Sequence, residues 1–170
     1  MTSTTLPSGT WRLDPSATTI TVSVQHLGLL TVPATLTVTG GTIEVDADHQ
    51  VASVEVHADA SSYTSKNDKR NEHVAGSDFL DAENHPTIIF SADDVAASGA
   101  GYEATGTVTV KGRSTPAKVT VDRLEFAEDT ASFGAAGTLE RQEIGLDKFP
   151  SFVIGKTITV AVSATANRAD

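Results

Sequence analysis

Along most of this chain apolar residues fall on every second position, with Thr or Ser filling many of the places between. Ile20, Val22 and Val24 alternate with Thr19, Thr21 and Ser23, and Val32, Ala34, Leu36 and Val38 alternate with Thr31, Thr35 and Thr37. A period of two marks a strand with one apolar and one polar face. The rhythm returns at Val54, Val56 and Ala58, at Ile88 and Phe90, and at Tyr102, Ala104, Gly106, Val108 and Val110. It continues at Val119 and Val121, from Phe133 to Leu139, and from Ile158 to Ala164. After Gly40-Gly41 the phase flips, so that Ile43 and Val45 take the opposite parity, which a bulge or sharp bend in one long strand explains. The parity shifts again between Val121 and Leu124-Glu125-Phe126. Eight long strands are predicted, bounded by turn signals.

One long segment breaks the pattern, from Arg70 to Phe90, with charged and amide residues dominating Lys66 to Glu72. Asn67 or Asp68 is placed to cap a short helix over Lys69 to Ala75, and Gly76 stops it. Ser77-Asp78-Phe79-Leu80-Asp81 then returns an aromatic anchor to the body, and Pro86 opens the strand Thr87 to Phe90. The segment reads as a helix-bearing lid across one end of the strands. At the N-terminus residues 1–9 are small and polar and are expected to be disordered. Trp11 is expected to plug one end of the fold or pin the terminus, and Asp14-Pro15 opens a turn. Residues 10–168 then form a single all-β domain. The simplest architecture is an eight-stranded antiparallel barrel, which leaves no exposed edge. A two-sheet sandwich satisfies the same alternation.

Charge narrows the range of partners. Twelve Lys and Arg stand against 22 Asp and Glu, a formal charge of −10. The basic residues form no run that would track a phosphate backbone, so no nucleic-acid partner is expected. The absence of cysteine excludes disulfides, thiolate metal sites and a Cys nucleophile. The first residues carry no basic and apolar leader pattern, and no apolar run is long enough to span a bilayer. A cytoplasmic protein that is not membrane-embedded is the expectation.

The inward series is rich in small residues, among them Ala34, Ala58, Ala104, Gly106, Ala135, Gly137 and Ala164. Eight strands enclose a space that side chains can just fill, or that can hold one small ligand. So many Ala and Gly favour an apolar cavity over a filled core, in which Trp11, Phe90 and Phe133 would close the gaps. The candidate lumen contacts are Val22, Val24, Leu36, Val56, Phe79, Ile88, Phe90, Ala104, Val108, Val121, Phe133, Ala135, Leu139 and Val160. Arg141 shares the parity of Phe133 to Leu139, so it is a candidate for a ligand head group, with an ion pair to Asp14, Asp78 or Asp81 as the structural alternative. His73 on the lid helix is the second candidate. The five histidines lack metal-ligand spacing, and no Gly-x-Ser-x-Gly, phosphate loop or Ser-His-Asp set occurs. No metal, no catalytic residue and no cofactor other than a bound lipid or quinone is expected. Asp78, Asp81 and Glu83 read as caps and turn formers. The apolar tip from Gly145 to Gly155 suits a portal, a lid contact or a homodimer contact.

Four motifs in order resemble the YceI-like family over Trp11 to Ala166. Trp11-Arg-Leu-Asp14-Pro with the strand up to His26-Leu27 is similar to the family's opening. Arg70-Asn-Glu-His73-Val, Asp78-Phe79-Leu-Asp81 and His85-Pro86-Thr-Ile-Ile-Phe90 resemble its Arg-Asp-x-His-Leu, Asp-Phe-Phe-Asp and Tyr-Pro-x-x-x-Phe signature. Gly106-Thr-Val-Thr-Val-Lys-Gly112-Arg-Ser and Leu139-Glu-Arg141-Gln-Glu-Ile-Gly145 match its later turns. Ala17, Pro33-Ala34, Asn71, Leu80 and His85 depart from the pattern. The resemblance implies a lipocalin-like barrel that binds a polyisoprenoid lipid or isoprenoid quinone without catalysis, for transport or storage. An enzyme using the cavity, with His73 and Arg141 as acid-base groups, and a packed barrel acting through its surface are the competing readings.

Overall fold

A computed structural model describes residues 6–26, 30–77, 79–98, 101–140, 143, 155 and 157–169. The described strands are β1 (Gly9–Leu13), β2 (Thr19–His26), β3 (Leu30–Val45), β4 (Val51–Thr64), β5 (Thr87–Ser98), β6 (Gly101–Val110), β7 (Arg113–Ala127), β8 (Thr130–Glu140) and β9 (Thr157–Ala169). One helix, α1 (Asp68–Ala75), lies between β4 and β5. From β2 onward each strand pairs antiparallel with the next, and β9 returns to β2 with Val160 opposite Val22. The ladder closes on itself, so the fold is an eight-stave antiparallel barrel and not a sandwich.

The short β1 does not add a ninth stave. Trp11 lies opposite Ile43 on β3 and Arg168 on β9, while Thr19 at the start of β2 lies opposite Thr37 and Ser163 on those same strands. β1 and β2 are therefore one stave, interrupted by the single 3-10 turn Pro15–Ala17. Asp14 starts that turn, its Oδ1 accepting from the Ser16 N–H at 3.0 Å and from Ser16 Oγ at 2.7 Å. The expected disorder through residue 9 is corrected at its end. Leu6 is buried in the core and Gly9 already pairs with Val45, because an apolar side chain at the open barrel end has somewhere to go. Five residues with one alternating apolar pair, Trp11 and Leu13, carry too weak a rhythm for β1 to stand out in the sequence.

Both phase slips coincide with bulges. The β3–β4 register steps between Val38 and Gly40, opposite Ala58 and His57. On β7 two residues lie between Asp122 and Glu125, against one on β8 between Gly134 and Ser132. Arg123 there takes φ 50°, the left-handed conformation of a bulged residue. A further bulge, at Asp93 between Ala92 and Asp94, was not evident from the alternation and carries Val95 to the inner face. The small inward residues need one correction as well. A Cβ on Gly106 would run into Ser91 O and Ala92 Cα of β5, so this glycine serves close strand approach and does not line the lumen.

Two packed clusters sit at the barrel ends. At one, Trp11 is 0% exposed and packs with Leu6, Leu13, Ile43, Val45 and Ala166. Its Nε1 donates to Pro7 O at 3.0 Å, which satisfies the indole's single donor. At the other, Phe79 and Leu80 join Ala60, Ala82, Val108 and Val110. α1 reaches that end capped by Asn67, whose Oδ1 accepts from the Arg70 N–H at 3.1 Å. Gly76 ends it, its N–H donating to His73 O. The loop then folds back, with the Leu80 and Ala82 N–H groups donating to Val74 O and Ala75 O, both at 2.9 Å. Lys111 Nζ donates to Ser77 O at 2.9 Å and ties the loop to the β6–β7 turn.

Gly106→Val is expected to lower unfolding stability by about 2 kcal/mol, because an added side chain must push β5 away. Urea denaturation measures it, and an unchanged midpoint would refute the steric reading of this glycine.

Candidate functional site

Between the two end clusters lies a cavity of about 560 Å³, within the range of small-molecule sites. Its wall is almost wholly apolar, and all fourteen candidate lumen contacts border it, whereas Ala34 and Gly106 of the small inward series do not. Val22 and Val24 come from β2, Leu36 from β3, Val56 from β4, and Ile88 and Phe90 from β5. Ala104 and Val108 come from β6, Val121 from β7, Phe133, Ala135 and Leu139 from β8, and Val160 from β9, while Phe79 descends from the lid loop. Many of these, Val22, Val56, Phe133 and Val160 among them, are only partly buried although they point to the barrel axis. They face open space instead of one another. Small residues at Ala104 and Ala135 keep that space from being filled.

Polar groups gather on one side. Tyr63 at the end of β4 and Asn67, Lys69, Arg70 and His73 of the lid border the cavity. Asn67, Lys69 and His73 are exposed, so the cavity meets solvent beneath α1. Ser23, Lys118 and Thr138 also border it but have outward parity, and Lys118 Nζ lies 3.5 Å from Glu103 Oε1 on the outer face. Sequence reasoning missed Tyr63, Asn67, Lys69 and Arg70. The signal was available in part, since Asn67, Arg70, His73 and Val74 are spaced at three and four residues, one face of a helix.

The head-group candidates fare differently. His73 borders the cavity with its ring edge-on to Phe79, centroids 5.0 Å apart and planes at 85°. Arg141 and Asp78 lie outside the described residues, as does most of the tip from Gly145 to Gly155. Asp81 takes φ 48° and accepts from Asn84 Nδ2 at 3.1 Å, as a turn former does. Among the described residues no cluster of His, Cys, Asp or Glu is arranged to hold a metal ion, and no helix is long and apolar enough to cross a membrane.

Burial pushes the Tyr63 phenol above its ordinary range, and the nearby Arg70 guanidinium partly opposes this by favouring the phenolate. The folded chain thus holds this proton more tightly than the unfolded chain. Its contribution to stability is complete below the ordinary phenol pKa of about 10 and is lost as pH rises through the raised value. In an ultraviolet pH titration, one of the two tyrosines should ionise late, and Tyr63→Phe should remove that step. Persistence of the late step in the variant would contradict the assignment.

Comparison with known proteins agrees with this geometry. The sequence profile of the YceI-like domain matches residues 11–166. A UPF0312 protein of Vibrio cholerae is 27% identical over 134 residues, 75% of this chain and 71% of that one. A UPF0312 protein of Pseudomonas aeruginosa is 24% identical over 129 residues, 72% of this chain and 68% of the other. Among solved structures, BcnA of Burkholderia cenocepacia superposes with a TM-score of 0.81 at 18% identity, over 91% of this chain and 99% of that one. A polyisoprenoid binding domain from Saccharophagus degradans superposes with a TM-score of 0.68 at 11% identity, over 94% and 98% of the two chains. At those identities the two structures share the fold. Matched from Trp11 to Ala166, the chain belongs to the YceI-like family.

Proposed function

We propose that this protein binds one long apolar molecule, a polyisoprenoid or an isoprenoid quinone, along the barrel lumen, and carries or stores it without covalent chemistry. The observation that carries the reading is the apolar cavity itself, walled by alternate residues of all eight staves and entered beneath α1. Burying a methylene stabilises by about 0.8 kcal/mol, so each five-carbon unit contributes roughly 3 to 4 kcal/mol before immobilisation offsets part of it. Such a wall distinguishes chains by length and bulk and does not depend on any single contact. The likeness to a domain described as polyisoprenoid binding points the same way.

Organic extraction of the purified protein followed by mass spectrometry tests the reading, and a prenyl chain is the expected product. Ala135→Phe fills the middle of the cavity from β8 and is expected to keep the fold while weakening prenyl uptake about tenfold or more, the equivalent of two lost methylenes. Repeated empty extracts after exposure to saturating prenyl lipid, or uptake unchanged in Ala135→Phe, would defeat it.

A further inference from the structure

The charges of α1 are sorted. Its five titratable side chains are Asp68, Lys69, Arg70, Glu72 and His73. The three that can be positive border the cavity, and the two carboxylates do not. No Asp or Glu is among the described cavity residues at all, in a chain that carries 22 of them against 12 Lys and Arg. Random placement would bring acids to the mouth more often than bases.

These cations are also unspent. Among the described residues neither the Arg70 guanidinium nor the Lys69 ammonium has an ion-pair or hydrogen-bond partner, although Asp68 and Glu72 share their helix. The Tyr63 hydroxyl, half-buried beside Arg70, likewise has no hydrogen-bond partner among them. The Arg70 backbone is held by the Asn67 cap, and Val74 on the same face packs into the lid cluster, so the helix cannot rotate these donors away without losing both. Arg70 thus stands where a greasy channel meets water, with a fork of donors that fits a phosphate or carboxylate.

We infer that the mouth of the cavity is an anion site, formed by Arg70 with Lys69 and the Tyr63 hydroxyl, and that the bound molecule is an amphiphile with a phosphate or carboxylate head and an apolar tail. The inference rests on the lumen binding a tail, and it narrows the head group, since a neutral quinone or alcohol leaves the two cations without an anion. His73, next on the same face, borders the head from the side of Phe79. The tail supplies most of the affinity and the mouth sets orientation, with the head kept at the solvent end.

The test compares geranylgeranyl monophosphate with geranylgeraniol, two molecules that share one tail, by calorimetric titration of the delipidated protein at low salt. The phosphate is expected to bind about tenfold tighter, the worth of one charge-assisted contact. Arg70→Gln should abolish most of that difference and leave the alcohol's affinity unchanged, and Lys69→Gln should reduce it in part. Both side chains lack described partners, so both variants should melt with the parent. Inorganic phosphate in large excess should lower the affinity for geranylgeranyl monophosphate toward that of the alcohol and leave the alcohol's affinity unchanged. Equal affinities of the parent protein for the two lipids, or an equal loss of both in Arg70→Gln, would overturn the anion site while the lumen reading stands. Failure of both lipids to bind would overturn the lumen reading and the anion site together.

Discussion

Closure of the backbone ladder is the constraint on which the rest of this structure depends. Each of the eight staves is hydrogen-bonded on both sides, and the return of β9 to β2 removes the last edge. A wall held by its own ring of hydrogen bonds can leave its centre open, provided the ends are sealed by packing. Trp11 and its neighbours seal one end, and Phe79 with Leu80 narrows the other beside the opening under α1. An open sheet of the same composition would have to collapse its apolar face onto something. Closed, the face lines a space instead.

The first stave shows how tightly closure constrains the chain. β1 and β2 both sit between β3 and β9, broken by the turn at Asp14. The break lets Trp11 and Leu13 turn into the end cluster while Ile20 and Val22 resume the wall. Bulges in β3, β5 and β7 do related work, re-aiming the residues that follow them. Without the extra residue before Leu124, that side chain and Phe126 would point to solvent.

Wall and lid divide the chemistry of the cavity between them. The strands present hydrocarbon that is tolerant of what it touches, and the lid segment presents nearly all the polarity the cavity has. The division follows from geometry. A closed strand must alternate, so a polar residue on an inward position is surrounded by apolar neighbours on both adjoining staves. A helix at the rim can turn one face to the cavity and another to water, which lets Arg70 and Lys69 meet the opening while Asp68 and Glu72 stay clear of it.

Much of this was written in the chain itself. Alternation is local, so it revealed the eight long strands, their inner faces, and the two phase slips flanking Gly40-Gly41 and Leu124. The helix and its stops were equally legible, from Asn67 at one end to Gly76 at the other, because caps act within a single turn. What required the tertiary structure were quantities set by the distance between strands and the docking of one element on another. Whether small residues mean space was one of these: Ala104 and Ala135 border a cavity, but Gly106 answers to the close approach of β5. The joining of β1 and β2 into one stave was another, since only their shared partners reveal it. The last was the rotation of α1, fixed by Val74 packing into the lid cluster and by the chain folding back to Leu80. Periodicity names a helix's faces, but only packing decides which of them looks inward.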